Sequence, residues 1–195
     1  MLVNIELLYI VIYSYILGSI PFGLVLTKIF LKKDIRKIGS GNIGATNVLR
    51  TGKKSLGVAT LILDGLKAYI SVLITLIYFP DYVYLSALLC FLGHVFPIWL
   101  KFKGGKGIAV YLGVLFTFSI SLGFVFVTSW IIVLYISRYS SLSSLISSLV
   151  ILLYSVVLNN LNMSVFFFII LIIIIYTHRE NINHIRNKTE NKINF

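Results

Sequence analysis

Residues 107–137 read GIAVYLGVLFTFSISLGFVFVTSWIIVLYIS, a stretch of 31 residues without one charged side chain. An α-helix needs roughly 20 residues to cross the hydrocarbon core of a bilayer, so this stretch is too long for a single crossing. It predicts two helices or a re-entrant hairpin, with a weak turn signal in the Ser-Leu-Gly sequence at 121–123. The chain is therefore expected to enter a membrane more than once.

Four further apolar stretches extend this pattern over most of the chain. Hydrophobic residues make up 58% of the sequence and charged residues 12%, with a mean hydropathy of +0.98, which is typical of polytopic membrane proteins. We predict an all-α, membrane-embedded single domain over residues 1–195, with about seven transmembrane helices, or five and a re-entrant hairpin. The four stretches are residues 7–27, 55–79, 82–100 and 139–178; the last is again too long for one helix and carries a turn signal, Asn-Asn-Leu-Asn, at 159–162.

The first stretch is expected to remain as a span and not to be removed as a signal peptide. It has no basic leader, since Glu6 is the only charged residue before Lys28. Cys90 is the single cysteine and lies in an apolar run, so an internal disulfide is impossible and a buried small hydrophobic residue is indicated.

Basic side chains follow the first and third apolar stretches and fill the C-terminal tail, whereas the opposite ends carry Glu6, Asp81 and the asparagine turn. The positive-inside rule then places the N-terminus outside and the C-terminus in the cytoplasm, provided that 107–137 crosses twice or re-enters. This topology, with attraction to anionic lipid, accounts for the net charge of +11 without any nucleic-acid partner. The basic residues of these three segments are Lys28, Lys32, Lys33, Arg36, Lys37, Arg50, Lys53, Lys54, Lys101, Lys103, Lys106, Arg179, Arg186, Lys188 and Lys192.

The first loop, residues 39–50, has the sequence GSGNIGATNVLR and lies between the first two apolar stretches. Its glycines let backbone N–H groups approach an anion, its hydroxyl and amide side chains add donors, and Arg50 offers a planar fork of donors suited to phosphate. The Gly-x-Gly-x-x-Gly spacing matches a dinucleotide fingerprint, but the βαβ context that this fingerprint requires is absent. The candidate phosphate-binding residues are Ser40, Gly41, Asn42, Thr46, Asn47 and Arg50.

The second loop, residues 94–107, has the sequence HVFPIWLKFKGGKG. It is not a nucleotide P-loop, because no glycine stands five residues before Gly105 and Lys106 is not followed by Ser or Thr. Lys106, framed by glycines that expose the backbone, is expected to face a ligand, whereas Lys101 beside Trp99 fits an interfacial anchor. The candidate phosphate-binding residues are Lys103, Gly104, Gly105, Lys106 and Gly107.

Residues 177–183 and the serines at 140–144 form a third candidate segment. Alone, they fit a solvated helix end and a helix N-cap with a small-residue packing face. The predicted topology brings them to the same membrane face as both loops, which favours functional roles for His178, Asn181 and Ser141. Asp64 and Lys67 stand one helical turn apart within a span and most simply neutralise each other. Because ionisable groups inside a membrane are candidates for function, Lys67 is also included among the phosphate-binding residues.

These segments give the chain a resemblance to a known family. Residues 39–50, 94–107 and 178–181 resemble the three cytoplasmic motifs of the bacterial acyl-phosphate-dependent glycerol-3-phosphate acyltransferases, the PlsY family. The segments GSIPFG at 18–23, LDGLK at 63–67 and RYSSL at 138–142 resemble further family segments, so the match runs in order along nearly the whole chain. The resemblance implies transfer of a fatty acyl group from acyl phosphate to the 1-hydroxyl of sn-glycerol 3-phosphate, giving lysophosphatidic acid and phosphate in bacterial phospholipid synthesis.

The resemblance also implies residue roles and partners. The first loop would hold the phosphate and glycerol phosphate groups, Lys106 with its neighbouring amides the other phosphate, and His178 and Asn181 would close the pocket near the reacting groups. It implies a site on the cytoplasmic face of the bacterial cell membrane, no cofactor or metal, and the upstream acyl-phosphate-forming enzyme as a candidate partner. Two positions depart from the family pattern: Val110 stands in place of Thr, and Thr177 in place of a basic residue. The implied catalytic residues are Ser40, Arg50, Lys106, His178 and Asn181.

The expected chemistry is consistent with this family. An acyl phosphate is a mixed anhydride with a good leaving group, so direct attack by the glycerol hydroxyl needs no acyl-enzyme, and either His178 or an acyl-phosphate oxygen could take the proton. The His-x-x-x-x-Asp dyad of other glycerol phosphate acyltransferases is absent. Five residues after each of the three histidines, at positions 99, 183 and 189, stand Trp, Asn and Thr in place of Asp. Two other classes compete: a phosphate transporter, which normally shows repeats and broken midplane helices, and a nonenzymatic lipid-binding scaffold.

Overall fold

The computed structural model describes residues 5–193, and every regular element in that range is helical. The all-α prediction is therefore confirmed. The chain divides into two compact units, one up to Thr117 and one from Phe118 onward.

The packed centre of the first unit is formed by α1 (Ile5–Gly18), α4 (Lys54–Tyr78) and α5 (Val83–Val95), with two short helices beside them. Small polar residues let α1 approach its neighbours: the hydroxyls of Ser14 and Ser86 share a buried hydrogen bond of 2.8 Å, and Gly93 lies against the carbonyl of Tyr15. The helices are α1 (Ile5–Gly18), α2 (Phe22–Leu31), α3 (Ala45–Leu49), α4 (Lys54–Tyr78), α5 (Val83–Val95) and α6 (Ile108–Phe118), which ends at the unit boundary.

The first predicted span is broken between α1 and α2. Pro21 has no N–H to continue the helix, and Gly18 presses so closely on the backbone of Cys90 that a Cβ would overlap its carbonyl. The break leaves carbonyl oxygens without helical partners, and side chains donate to them. The indole N–H of Trp99 donates to the carbonyl of Ser19 at 2.8 Å, and the ammonium of Lys67 donates to the carbonyl of Ile20. The helical segment also runs to Leu31, beyond the predicted end of the span at residue 27.

The second unit contains α7 (Ile120–Ser137), α8 (Ser140–Val157), α9 (Leu161–Thr177) and the short α10 (Arg179–Arg186). The turn at 159–162 is confirmed, because Asn160 caps α9 by accepting from the N–H of Met163 at 3.0 Å. The stretch 107–137 is indeed two helices, but it breaks at Ser119, which caps α7, and not at 121–123. The buried serines of α8 form its packing face, and Ser144 accepts from the indole of Trp130 on α7 at 3.1 Å.

Five helical segments within residues 5–193 are long and apolar enough to cross a membrane. A sixth, α9, has 17 residues and bends by 60° into α10, while α6 has only 11. Apolar side chains such as Ile136, 77% exposed, suit contact with lipid. The polytopic prediction is confirmed, whereas the orientation of the termini stays a prediction. The spanning segments are Ile5–Leu31, Lys54–Tyr78, Pro80–Leu100, Ile120–Ser137 and Ser140–Val157.

Candidate active site

Asn47 organises the first loop. Its buried amide nitrogen donates to the carbonyls of Ile38 at 2.9 Å and Asn42 at 2.8 Å. Its amide oxygen accepts from the backbone N–H of Ser40 at 3.0 Å. Since the side chain of Asn47 satisfies the backbone of the loop itself, it fixes the loop's shape and is not directed at a ligand.

Two glycines give the start of this loop its path. Gly39 and Gly41 have φ values of 56° and 70°, in the left-handed region that favours glycine. A Cβ on Gly39 would overlap the amide oxygen of Asn47 and lie 3.1 Å from Cδ of Arg50. The side chain of Arg50 therefore passes beside the first turn of the loop.

Three predicted ligand groups of the first loop face outward. The hydroxyls of Ser40 and Thr46 and the guanidinium of Arg50 belong to exposed residues and make no hydrogen bond or ion pair with the rest of residues 5–193. Asn42 uses its amide oxygen to accept from the N–H of Gly44 at 2.8 Å, a local turn that ends at α3. Hydroxyl and guanidinium donors of this kind can receive a phosphate.

A hydrophobic cluster anchors both loops in the first unit. Four buried residues form it, including Ile43 and Val48 of the first loop. Partly buried side chains pack against it from just before that loop (Ile38), from α4 (Leu56) and from the second loop (Leu100). The two predicted phosphate-binding segments thus share one support. The buried members of this anchoring cluster are Leu24, Ile35, Ile43 and Val48.

An acidic residue shapes the entry to the first loop. Asp34 accepts from the backbone N–H of Arg36 at 3.0 Å and pairs with its guanidinium at 2.6 Å, which caps a one-turn 3-10 helix at Ile35–Lys37. These hydrogen bonds from Arg36 hold the pKa of the Asp34 carboxyl well below its usual range, so it is ionised at neutral pH.

The second loop is tied to the C-terminal end of α5. The N–H groups of Gly104 and Gly105 donate to the carbonyls of Val95 at 3.0 Å and His94 at 3.1 Å. Neither glycine has room for a side chain, because a Cβ on Gly105 would overlap the imidazole of His94 and one on Gly104 would overlap its carbonyl. These positions therefore require glycine for close approach to α5.

The second loop leads directly into α6. Gly107 has a φ of 87° and packs against the ring of Phe91, and α6 begins at the next residue. Lys106, partly exposed between buried glycines, thus stands at the positive end of the α6 dipole. Lys103 and Lys101 are exposed, as a membrane-surface or ligand-approach role requires.

Lys67 is held in the interior of the first unit. Its ammonium donates to Asp64 at 2.7 Å, to the carbonyl of Ile20 at 2.6 Å and to Nδ1 of His94 at 2.9 Å. The predicted ion pair is confirmed, with side chains only 3% and 2% exposed. Because these three acceptors use all three N–H bonds of the ammonium, we do not retain Lys67 as a direct phosphate ligand.

His178 lies at the start of α10 in the second unit and is buried. Its Nδ1 is 2.8 Å from the carbonyl of Ile174 and 3.3 Å from the hydroxyl of Thr177. Since a carbonyl only accepts, Nδ1 carries the proton and Nε2 carries the lone pair in the neutral ring. This tautomer is the one that a general base acting through Nε2 requires.

Glu190 joins two predicted ligand residues and was missed by sequence analysis. The hydroxyl of Ser141 and the amide nitrogen of Asn181 both donate to its Oε1 at 2.7 Å. The carboxylate is only 8% exposed, and Oε2 lies 3.6 Å from Nδ1 of His184. A lone glutamate in a polar tail has no sequence signal. Only folding of the tail against the turn between α7 and α8, where the N–H of Ile193 donates to the carbonyl of Arg138, brings it there.

The family model for glycerol-3-phosphate acyltransferase matches residues 8–188. A glycerol-3-phosphate acyltransferase of Pelagibacter ubique is 59% identical over 187 residues, covering 96% of this chain and 97% of that protein. One of Bradyrhizobium diazoefficiens is 46% identical over 183 residues, covering 93% and 92%.

Solved structures give the same result. The crystal structure of PlsY, an integral membrane glycerol 3-phosphate acyltransferase, in its glycerol 3-phosphate form has a TM-score of 0.92 at 38% identity, covering 96% of this chain and 95% of that one. Its lysophosphatidic acid form has a TM-score of 0.89. With these similarities over nearly its full length, and with apolar helices long enough to span a bilayer, the chain is a multi-pass membrane protein of the glycerol-3-phosphate acyltransferase family.

Proposed function

We propose that this chain transfers a fatty acyl group from acyl phosphate to the 1-hydroxyl of sn-glycerol 3-phosphate, releasing lysophosphatidic acid and inorganic phosphate. Both substrates carry a phosphate, so the reaction needs two anion-binding regions that are close together. The observation that carries the proposal is that two glycine-rich, cation-bearing loops rest on one anchoring cluster. The glycerol 3-phosphate and lysophosphatidic acid forms of the similar PlsY structure agree with this substrate and product.

In this proposal the first loop binds one phosphate. Ser40, Thr46 and Arg50 supply outward-facing donors, and the guanidinium fork can make two parallel hydrogen bonds to phosphate oxygens. Gly41 lets the backbone of the loop approach the phosphate, and Asn42 stabilises the turn before α3. Asn47 keeps the loop in its folded shape.

The second loop binds the other phosphate. Lys106 lies where α6 begins, so a point charge and a helix dipole act on the same anion. The N–H groups of Gly104 and Gly105, predicted as phosphate donors, are bonded to carbonyls of α5 and are not retained as ligands. Lys103, exposed at the entrance, raises the local concentration of anionic substrate.

The third segment supplies proton transfer and orientation. The glycerol hydroxyl attacks the acyl carbonyl carbon, the new ester C–O bond forms, and the bond from that carbon to the phosphate oxygen breaks. The hydroxyl proton passes to Nε2 of His178 or to an oxygen of the departing phosphate. Glu190 accepts from both Ser141 and Asn181 and fixes the orientation of these two side chains. Because the one hydroxyl proton of Ser141 is used by Glu190, Ser141 acts as a positioning residue and not as a direct phosphate ligand.

The proposed location is the bacterial cell membrane, with the site facing the cytoplasm. The one-sided distribution of basic residues supports this orientation. A bilayer-borne acyl donor and a water-soluble acceptor can meet at such a surface, and the enzyme that makes acyl phosphate is a suitable neighbour. Membership of an acyltransferase family disfavours the transporter and scaffold hypotheses.

The test uses purified protein in detergent with one acyl donor at a time. With acyl phosphate and glycerol 3-phosphate we expect lysophosphatidic acid and phosphate in equal amounts, and with acyl-CoA or acyl carrier protein no comparable turnover. An Arg50→Ala variant controls for contaminating activity. Comparable turnover with acyl-CoA would contradict the proposed donor, and a stable acylated protein in single-turnover samples would contradict direct transfer.

A further inference from the structure

Three buried polar side chains of the first unit, Asp64, Lys67 and His94, form what we call the buried network. Its hydrogen bonds join α4, the end of α5 and the break between α1 and α2. An ion pair in the interior of a membrane protein is costly, and apolar residues of similar volume often replace such pairs without loss of stability. Packing alone therefore does not explain these side chains.

One end of the buried network lies beneath the second loop. Nδ1 of His94 faces an ammonium, which has only donors, so Nδ1 must be the accepting nitrogen of a neutral ring. This hydrogen bond fixes the rotation of the imidazole, whose Nε2 edge then lies directly against Gly105. The backbone carbonyl of His94 accepts from the N–H of the same glycine.

The other end lies beside the first loop. The carboxylate of Asp64 accepts from the backbone N–H of Phe22, in the first turn of α2. The next residue, Gly23, lies so close to the first loop that a Cβ there would overlap the carbonyl of Ile43. A shift of Asp64 would thus move the turn of α2 that contacts this loop.

We propose that the buried network is a common support that sets the position of both phosphate-binding loops, with Asp64, Lys67 and His94 as positioning residues. Directed hydrogen bonds hold the His94 ring and the α2 turn at fixed orientations, which an apolar pair of equal volume would not do. This inference rests on the phosphate-binding role proposed above for the two loops.

The first test is a double-mutant cycle between His94 and Gly105. In His94→Asn the side-chain oxygen can take the place of Nδ1 and accept from Lys67, while the rest of the ring is removed from below the loop. Gly105→Ala should raise KM for a phosphate-bearing substrate by roughly tenfold or more, since a misplacement of about 1 Å can cost about 100-fold. The double variant should bind better than Gly105→Ala alone, because the new methyl group enters the vacated space; contacting residues couple by about twofold to 150-fold.

The second test separates positioning from stability. Asp64→Asn/Lys67→Met removes both charges together, so no unpaired charge remains buried. We expect a protein that folds in detergent with a lowered melting temperature, because the carbonyl of Ile20 and Nδ1 of His94 lose their donor. Assayed well below that melting temperature, it should show a raised KM for both acyl phosphate and glycerol 3-phosphate. Direct binding of inorganic phosphate, measured by calorimetry, should weaken in parallel.

The outcomes are distinguishable. Wild-type KM values in Asp64→Asn/Lys67→Met, or additive effects in the His94–Gly105 cycle, would overturn the positioning role. If Asp64→Asn/Lys67→Met does not fold, the His94–Gly105 cycle alone tests the positioning role, because His94→Asn keeps an acceptor for Lys67. If the wild type shows no saturable dependence on either phosphorylated substrate, the proposed function fails instead.

Discussion

Replacing Asn47 with alanine removes the side chain that organises the first loop. The structure gives its amide nitrogen two short hydrogen bonds, to carbonyls at 2.9 and 2.8 Å, and its amide oxygen one, to an N–H at 3.0 Å. Alanine can make none of these, so three backbone groups of the loop lose their partner. The loop should then lose its fixed shape before any ligand is present.

The expected cost follows from these three bonds. Each contributes about 0.5–1.5 kcal/mol net, so the substitution should lower the free energy of unfolding by about 1.5–4.5 kcal/mol. For a chain of this length about 1 kcal/mol shifts the melting temperature by about 2–4 °C, so a decrease of at least about 3 °C is expected. The KM for glycerol 3-phosphate should rise as well, because the bound shape of the loop is no longer prepared in advance.

The assay compares Asn47→Ala with Thr46→Ala, its neighbour in the chain. The hydroxyl of Thr46 is exposed and makes no hydrogen bond within residues 5–193, so its removal should leave the melting temperature unchanged and affect only KM. Both variants are measured in the same detergent by thermal unfolding and by steady-state kinetics. Equal melting temperatures for the two variants would refute the organising role of Asn47.

Three further predictions concern charge and topology. Arg50→Lys keeps the charge but loses the bidentate fork, so affinity for glycerol 3-phosphate should fall; unchanged affinity would place Arg50 outside that pocket. Lys106→Ala should reduce turnover by about 10²–10³, as loss of one preorganised donor does, and Lys101→Ala far less; equal losses would remove the distinction between ligand group and membrane anchor. A cysteine at Lys103 should react with an impermeant reagent from the cytoplasm and one at Asp81 from outside, and the reverse pattern would overturn the orientation.

The helical fold could be predicted from the sequence because lipid leaves the backbone few alternatives. Uncharged stretches of about 20 residues must form helices to satisfy their own N–H and C=O groups, and 107–137 had to contain a break on length alone. The exact break at Ser119 could not be predicted, because a serine cap competes with an adjacent Ser-Leu-Gly signal of similar strength. The break at Pro21 was missed, since its freed carbonyls depend on distant donors such as Trp99.

The candidate site, like the fold, could be predicted from the sequence only in part. Glycine, hydroxyl and cationic residues close together in sequence identify both loops, since these residue types serve anion binding wherever they fold. The sequence does not show which of these side chains face outward. The side chain of Arg50 faces outward, whereas those of Asn47 and Lys67 donate to carbonyls 9 and 47 residues away in the chain. Glu190 has no local signal at all.

The sequence by itself determined that this chain is helical, membrane-spanning and carries two glycine-rich loops with cationic side chains, because hydropathy and residue chemistry are local properties. Only the tertiary structure decided which polar groups support the loops and which remain available to substrate. That choice depends on hydrogen bonds between residues far apart in the chain, such as Lys67 to His94 and Ser141 to Glu190. Such bonds form only once helix packing has brought their donors and acceptors within about 3 Å.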